Sequence, residues 1–299
     1  MSAGAPAGTG PHVVALGGGH GLAATIRAVR RYAGRTTAVV ATADDGGSTG
    51  RLRASLALPA PGDLRRCVAA MAGEGAGPLA RALDYRFGGT DVEGHALGNL
   101  LLAGLTEALG DFGAAVDELC RLVGLDPAVA RVVPATAEPV VLRAETTAGA
   151  EVTGQVAIAG TRGIAQVRVE PADAPAPAAV ATALAGADQV VLGPGSLYTS
   201  VLAAAAVDDV REAIEQAPAP CVYVCNVRAE AGETRGYDVA AHVGALRRHG
   251  VAPDVVLVQR GALPLGDPGV AVVEADVARP HGLAHDTAKL GAALATLVG

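Results

Sequence analysis

Short apolar runs recur along the chain, each closed by glycine or a polar turn. "HVVALG" (His12–Gly17) reads as a buried strand, and the glycines after it lead into a helix over 22–33. "TTAVVATA" (Thr36–Ala43) is a second strand. Strand, helix and strand at this spacing form a βαβ unit, which favours parallel pairing and a right-handed crossover. Pro61 and Asp63 suit a helical first turn, and helical patterns continue to about Val123, with a loop near 88–93. At Arg131 the period changes. "RVVPAT", "PVVLRAETT", "AEVTGQVAIA" and "GIAQVRVEP" read as β-rich segments, with a hairpin turn at "TTAGAEV". After a further loop and helix, "DQVVLG", "CVYVCN", "DVVLVQ" and "VAVVEA" alternate with helices. The expectation is one α/β domain over 12–299 on a mainly parallel sheet. Residues 131–170 form a small antiparallel β insertion within it, and 1–11 a disordered tail.

Composition narrows the function. Of 299 residues, 51% are hydrophobic but only 2% aromatic, with no Trp, so the core is built from Ala, Val and Leu. The net charge of −7 comes without a basic face or stacking aromatics, which excludes nucleic acid as the expected partner. The four cysteines fit neither a disulfide framework nor a zinc spacing and read as buried free thiols; Cys221 and Cys225 share one face of a strand. "MSAGAPAGTGP" lacks the basic and apolar regions of a signal peptide. The most apolar helix, "ALGNLLLAGLTEALG", is broken by Asn99 and Glu107 and is too short for a bilayer. No membrane partner and a cytoplasmic location are expected.

The candidate chemistry lies where strands run into glycine-rich turns. In "LGGGHGLAAT" (Leu16–Thr25), Gly19, Gly21 and Ala24 fit G-x-G-x-x-A between a strand and a helix. Gly18, Gly19, His20 and Gly21 thus form either a phosphate cradle or a tight turn. In "VVATADDGGSTGRL", Asp44 and Asp45 end a strand, with Ser48 in the turn after them. Such a pair of acids can hold Mg²⁺ or a ribose, or cap a turn. In "PAPGDLRRC", Asp63 reads as a cap for its own helix. Arg65 and Arg66 oppose the helix dipole, which fits either one of them meeting an anion or a solvated surface pair. His95 and Asn99 in "EGHALGNLLL" are four apart and would share a helix face. "VVLGPGSLYTS" offers a second cradle through Gly193, Gly195, Ser196 and Thr199. Asn226 ends a strand and could touch a base or sugar; Glu233 and Thr234 could equally open a helix.

These stretches, in this order, resemble the gluconeogenesis factor family (YvcK-type), related to 2-phospho-L-lactate transferase (CofD-like). "ADDGGSTGRLR", "PGDLRRC", "GHALGNLLLAGLTE", "LGPGSLYTS" and "YVCN" carry the resemblance over about 12–298. It implies a three-layer, Rossmann-like sandwich binding a nucleotide-type ligand. It also implies a link to UDP-N-acetylglucosamine, growth on gluconeogenic carbon and the regulation of cell shape. The transferase branch uses Mg²⁺ to move a phospholactyl group from a nucleotide diphosphate, and by that likeness Asp45 and Asp63 hold the metal. A homodimer is an admissible assembly. His20 departs from the Thr usual in the glycine loop. Ala284 stands where the family has an Arg before "HD", leaving Arg279 as the nearby guanidinium. The rivals are a Mg²⁺-dependent transferase and an NAD-dependent oxidoreductase; for the latter, the chain has no clear Tyr-Lys pair and only one lysine, Lys289.

Overall fold

The computed structural model describes residues 9–73, 75–89 and 91–298; most of the expected tail, 1–8, lies outside them. Its last residues are not loose. The N–H groups of Gly34 and Arg35 donate to the Pro11 carbonyl at 3.1 and 3.3 Å.

The strands are β1 (His12–Gly17), β2 (Arg35–Val40), β3 (Ala130–Pro134), β4 (Val141–Thr146), β5 (Glu151–Thr153), β6 (Ile164–Glu170), β7 (Gln189–Leu192), β8 (Cys221–Val224), β9 (Val255–Gln259) and β10 (Ala271–Ala275). Seven form one sheet in the order β10-β9-β8-β7-β1-β2-β3. Every pairing in it is parallel. The strand order reverses between β1 and β7, and a crevice opens at such a switch point, beyond the carboxyl ends of the strands.

Alternate residues of each strand enter different cores. Val13 and Ala15 pack with the helices Gly19–Val29, Pro61–Ala72, Leu97–Leu109, Phe112–Leu122 and Thr287–Ala295. Val14 and Leu16 pack on the other face, against the helices Ala178–Ala185, Asp208–Glu215 and Val239–Arg248. Parallel strands covered on both faces are apolar throughout, which is why these segments show as continuous runs. The result is a three-layer, Rossmann-like α/β sandwich. All four cysteines are free and buried, and Cys221 and Cys225 do lie in the same core.

The β-rich stretch begins later than its composition suggests. β3 is the edge strand of the main sheet, paired with β2 in parallel, and not part of the insertion. Only β4, β5 and β6 form the antiparallel sheet. "QVAIA", read as β, is a short helix, Gln155–Ala159. The first helix starts at Gly19 and ends at Val29, not over 22–33, and β2 ends at Val40. "GSTGRLRAS" is a helix, Gly47–Ser55, that its glycines and hydroxyls disguise.

Candidate functional site

A cleft of about 750 Å³ opens at the switch point. One wall is the turn Gly18–Gly21 after β1; the other is Pro194, Gly195 and Ser196 after β7. The turns touch backbone to backbone: a Cβ on Gly21 would overlap the Pro194 carbonyl. Gly19 sits at φ +62°, where a side chain is strained. Thr25 locks the floor by donating its hydroxyl to the Gly193 carbonyl at 2.6 Å. The helix Gly19–Val29 has no side-chain cap of its own. Its early N–H groups are unpaired within the helix, and that of Gly19 is taken by Asp63 Oδ2 at 2.7 Å.

The rest of the wall comes from the second half of the sheet: Asn226, Arg228, Glu230, Arg279, Ala284 and His285. Gln259 holds the last segment in place, its Oε1 accepting from the N–H groups of Val277 and Ala278 at 2.7 and 2.6 Å. The Arg279 N–H then donates to the Ala284 carbonyl at 2.9 Å, so both residues line the cleft from one turn. Arg27, Arg228 and Arg279 line the cleft, and among the described residues none of the three forms an ion pair. Two buried atoms here lack partners, Nδ2 of Asn226 and Nε2 of His285. Burial holds the His285 imidazole down at about 4, so the ring is neutral at pH 7. His20 is also held below its ordinary value, first by the nearby Arg66 charge and then by burial. Such a set, three guanidiniums without an ion pair among the described residues and two orphaned polar atoms around a glycine turn, suits an anionic, polar ligand.

The other residues singled out in the sequence are not in this lining. Asp44 Oδ1 accepts from the Gly46 N–H at 3.0 Å, the local turn cap. Asp45 Oδ1 accepts from the Val156 N–H at 2.9 Å, in the first turn of the helix Gln155–Ala159, which has no side-chain cap of its own. Asp63 does not cap its own helix. Its Oδ2 accepts from the Gly19 N–H at 2.7 Å and its Oδ1 from Arg66 at 2.6 Å. Burial pushes its carboxyl up, while the Arg66 charge pulls it down. Arg65 meets Asp84, and burial lowers it to about 10. Asn99 and His95 do not share a helix face, because the helix begins at Leu97. They meet through Ser48, whose Oγ accepts from Asn99 Nδ2 at 3.0 Å and lies 3.1 Å from His95 Nδ1.

In the second turn, Gly193 carries the Thr25 bond and Thr199 points inward to Glu233 at 3.0 Å. Asn226 Oδ1 accepts from the Gly195 N–H at 3.3 Å. Ser200 closes the second glycine-turn stretch, whereas Glu230, Arg27 and Arg228 carry no motif and were not legible as site residues. Only the fold brings them to the cleft.

The Mg²⁺ reading asks Asp45 and Asp63 to offer oxygens to one ion. As arranged, Asp45 is turned to the insertion and both Asp63 oxygens are engaged. No group of three or more His, Cys, Asp or Glu that could hold a metal occurs among the described residues. The pair does not fit a cation in this arrangement. No helix among the described residues is long and apolar enough to cross a membrane.

A family model described as 2-phospho-L-lactate transferase CofD matches residues 13–290. Two relatives carry the name "Putative gluconeogenesis factor". That of Deinococcus radiodurans is 42% identical over 259 residues, covering 85% of this chain and 54% of that protein. The chain thus spans about half the length of that relative. That of Mycobacterium tuberculosis H37Rv is 42% identical over 311 residues, covering 94% of this chain and 89% of that protein. A crystal structure described as a member of the UPF0052 family, from Bacillus halodurans, superposes with a TM-score of 0.89 at 33% identity. It covers 96% of this chain and 99% of that one.

Proposed function

The chain belongs to the CofD family, and we propose that within it this protein is a ligand-binding regulator of the gluconeogenesis factor type. Its ligand is a nucleotide, with a UDP-sugar such as UDP-N-acetylglucosamine expected, and its role lies in envelope precursor metabolism and cell shape. The observation that carries this reading is the set of guanidiniums, none in an ion pair among the described residues, that line the cleft beside the Gly18–Gly21 turn. A diphosphate would satisfy both. Arg279 supplies a charge beside Ala284, where the family pattern has its guanidinium.

The second reading, a transferase moving a phospholactyl group, is favoured by the description of the matching family model. Against it stands the engagement of Asp45 and Asp63 in capping other helices. A thermal-shift panel of UDP-sugars, GDP, NAD and Mg²⁺ separates the readings. A ligand at about 100 times its Kd that binds only the folded state adds roughly 2.7 kcal/mol. A shift with UDP-sugars independent of Mg²⁺ supports the regulator. A shift confined to GDP with Mg²⁺ supports the transferase, and a shift with NAD alone supports an oxidoreductase.

A further inference from the structure

One residue lining the cleft has the wrong sign for a phosphate. Arg27, Arg228 and Arg279 make the space cationic, yet Glu230 opens onto it as well. A carboxylate only accepts hydrogen bonds and repels a neighbouring anion. Its place is built rather than incidental. Glu230 Oε1 accepts from the Ser196 hydroxyl at 2.9 Å, and the Glu230 N–H donates to Thr234 Oγ1 at 2.9 Å. Behind it stands Glu233, 1% exposed, accepting from the Tyr198 N–H at 3.1 Å and from Thr199 Oγ1 at 3.0 Å. Burial, then the neighbouring Glu230 and a hydrogen bond between the two carboxyls, push Glu233 up to about 8.

The same cleft holds a second sign of a missing polar partner. His285 is 7% exposed and its Nε2 has no hydrogen-bond partner, like Nδ2 of Asn226. The Ser196 hydroxyl has one proton, and it is already given to Glu230. What this part of the cleft offers an incoming molecule is therefore the Glu230 carboxyl oxygens as acceptors, a neutral ring, and the unpaired Asn226 amide N–H as a donor. Paired hydroxyls on a sugar ring present the matching donors. Two donors on adjacent carbons can meet the two oxygens of one carboxylate.

We infer that Glu230 recognises the sugar of the bound nucleotide, accepting hydrogen bonds from paired ring hydroxyls while the phosphates take the Gly19–Gly21 turn and the guanidiniums. This rests on the reading of the cleft as a nucleotide site. It adds that a sugar of the ligand is read by this carboxylate, so that a bare polyphosphate is a poor substitute.

Calorimetric titration of UDP-N-acetylglucosamine, UDP and pyrophosphate into the wild type, Glu230→Gln and Glu230→Asp tests the assignment. Glu230→Gln should weaken the sugar nucleotide by about tenfold or more, the scale of a lost hydrogen bond to a charged group. Pyrophosphate should bind as before or more tightly, since a repelling charge is gone. Glu230→Asp keeps the charge but draws it back by one methylene. It should also weaken the sugar nucleotide while leaving pyrophosphate unchanged, which guards against a Gln variant that folds poorly. Loss for UDP as well assigns the hydroxyls to the ribose; loss for the sugar nucleotide alone assigns them to the pendant sugar. Unchanged sugar-nucleotide affinity in both variants, or an equal loss for pyrophosphate, overturns the inference. Failure of all three probes to bind the wild type overturns the nucleotide reading itself, and the inference with it.

Discussion

At the end of β1 and β7 the chain leaves polar groups open; at the end of β2 it closes them. Around the cleft, Arg27, Arg228 and Arg279 lack ion pairs among the described residues, and Asn226 and His285 each keep a buried atom without a partner. Around Asp44, Asp45 and Asp63 the carboxylates are bound to N–H groups or to Arg66. The residue types are similar and the sequence marks both regions as candidate chemistry. What separates them is the hydrogen-bond ledger: an orphaned buried group costs free energy unless something fills it. The cleft offers open partners to a ligand, whereas the Asp44, Asp45 and Asp63 carboxylates each already accept from an N–H or a guanidinium. Substitutions in the cluster should therefore change stability, and substitutions in the cleft should change binding.

The largest expected effect tests the finished side. Asp63→Ala removes the cap of the Gly19 helix and leaves Arg66 without its carboxylate. Removing one partner of a buried pair costs about 3 kcal/mol or more. A drop of that order in urea-denaturation stability is expected, and a drop below about 1 kcal/mol would blur the contrast. The next tests the open side. Arg228→Ala and Arg279→Ala should each weaken UDP-N-acetylglucosamine by about tenfold, with the melting temperature of the free protein unchanged. A melting temperature that falls with affinity would place these arginines in the scaffold.

Charge state sharpens the contrast further. Glu233 is raised to about 8 in the fold, against about 4.3 for a free side chain. The folded state therefore holds a proton that the unfolded chain has lost across that window. The stabilising contribution is full below the unfolded value and is lost as pH rises through the folded one. His285, lowered to about 4, acts in the opposite sense: its contribution is full above about 6.5 and is lost as pH falls toward 4. Glu233→Gln should flatten the fall in stability between about pH 5 and 8, measured by thermal melts at a series of pH values. An unaltered slope would show that another group carries it. The smallest effect is for Asp45→Ala, which should lower stability by about 1 kcal/mol, as for a lost helix cap. It should leave the Mg²⁺ dependence of ligand affinity where it was; a raised Mg²⁺ requirement would restore the metal role to Asp45.

The sheet was readable because its strands are buried on both faces and so appear as unbroken apolar runs, "HVVALG" and "DQVVLG" among them. The glycine turns were readable because their spacing follows strands directly. Partners remote along the chain were not. Asp63 looks like a cap for its own helix because proline and aspartate share its first turn; nothing local says that its oxygen reaches Gly19. His95 and Asn99 were placed near each other for the wrong reason, since Ser48 joins them and not a helical face. The edge strand β3 merged with the insertion because both are β-rich, and only pairing with β2 separates them. Arg228 and Glu230 carry no motif at all, and only the loop after β8 delivers them to the cleft.

The borrowed caps also have a meaning in time. The Gly19 helix, the Gln155 helix and the turn at Tyr198 each receive a carboxylate from 44, 111 and 35 residues away. Contacts between such distant segments form only after the chain between them has closed into a loop, so they come late in folding. Interactions absent from the transition state slow unfolding and leave the folding rate almost untouched. Asp63, Asp45 and Glu233 therefore act as latches rather than as nuclei. In stopped-flow measurements, Asp45→Ala should raise the unfolding rate by about fivefold, the kinetic equivalent of about 1 kcal/mol, with refolding unchanged. Slower refolding would place the Val156 contact among the first to form.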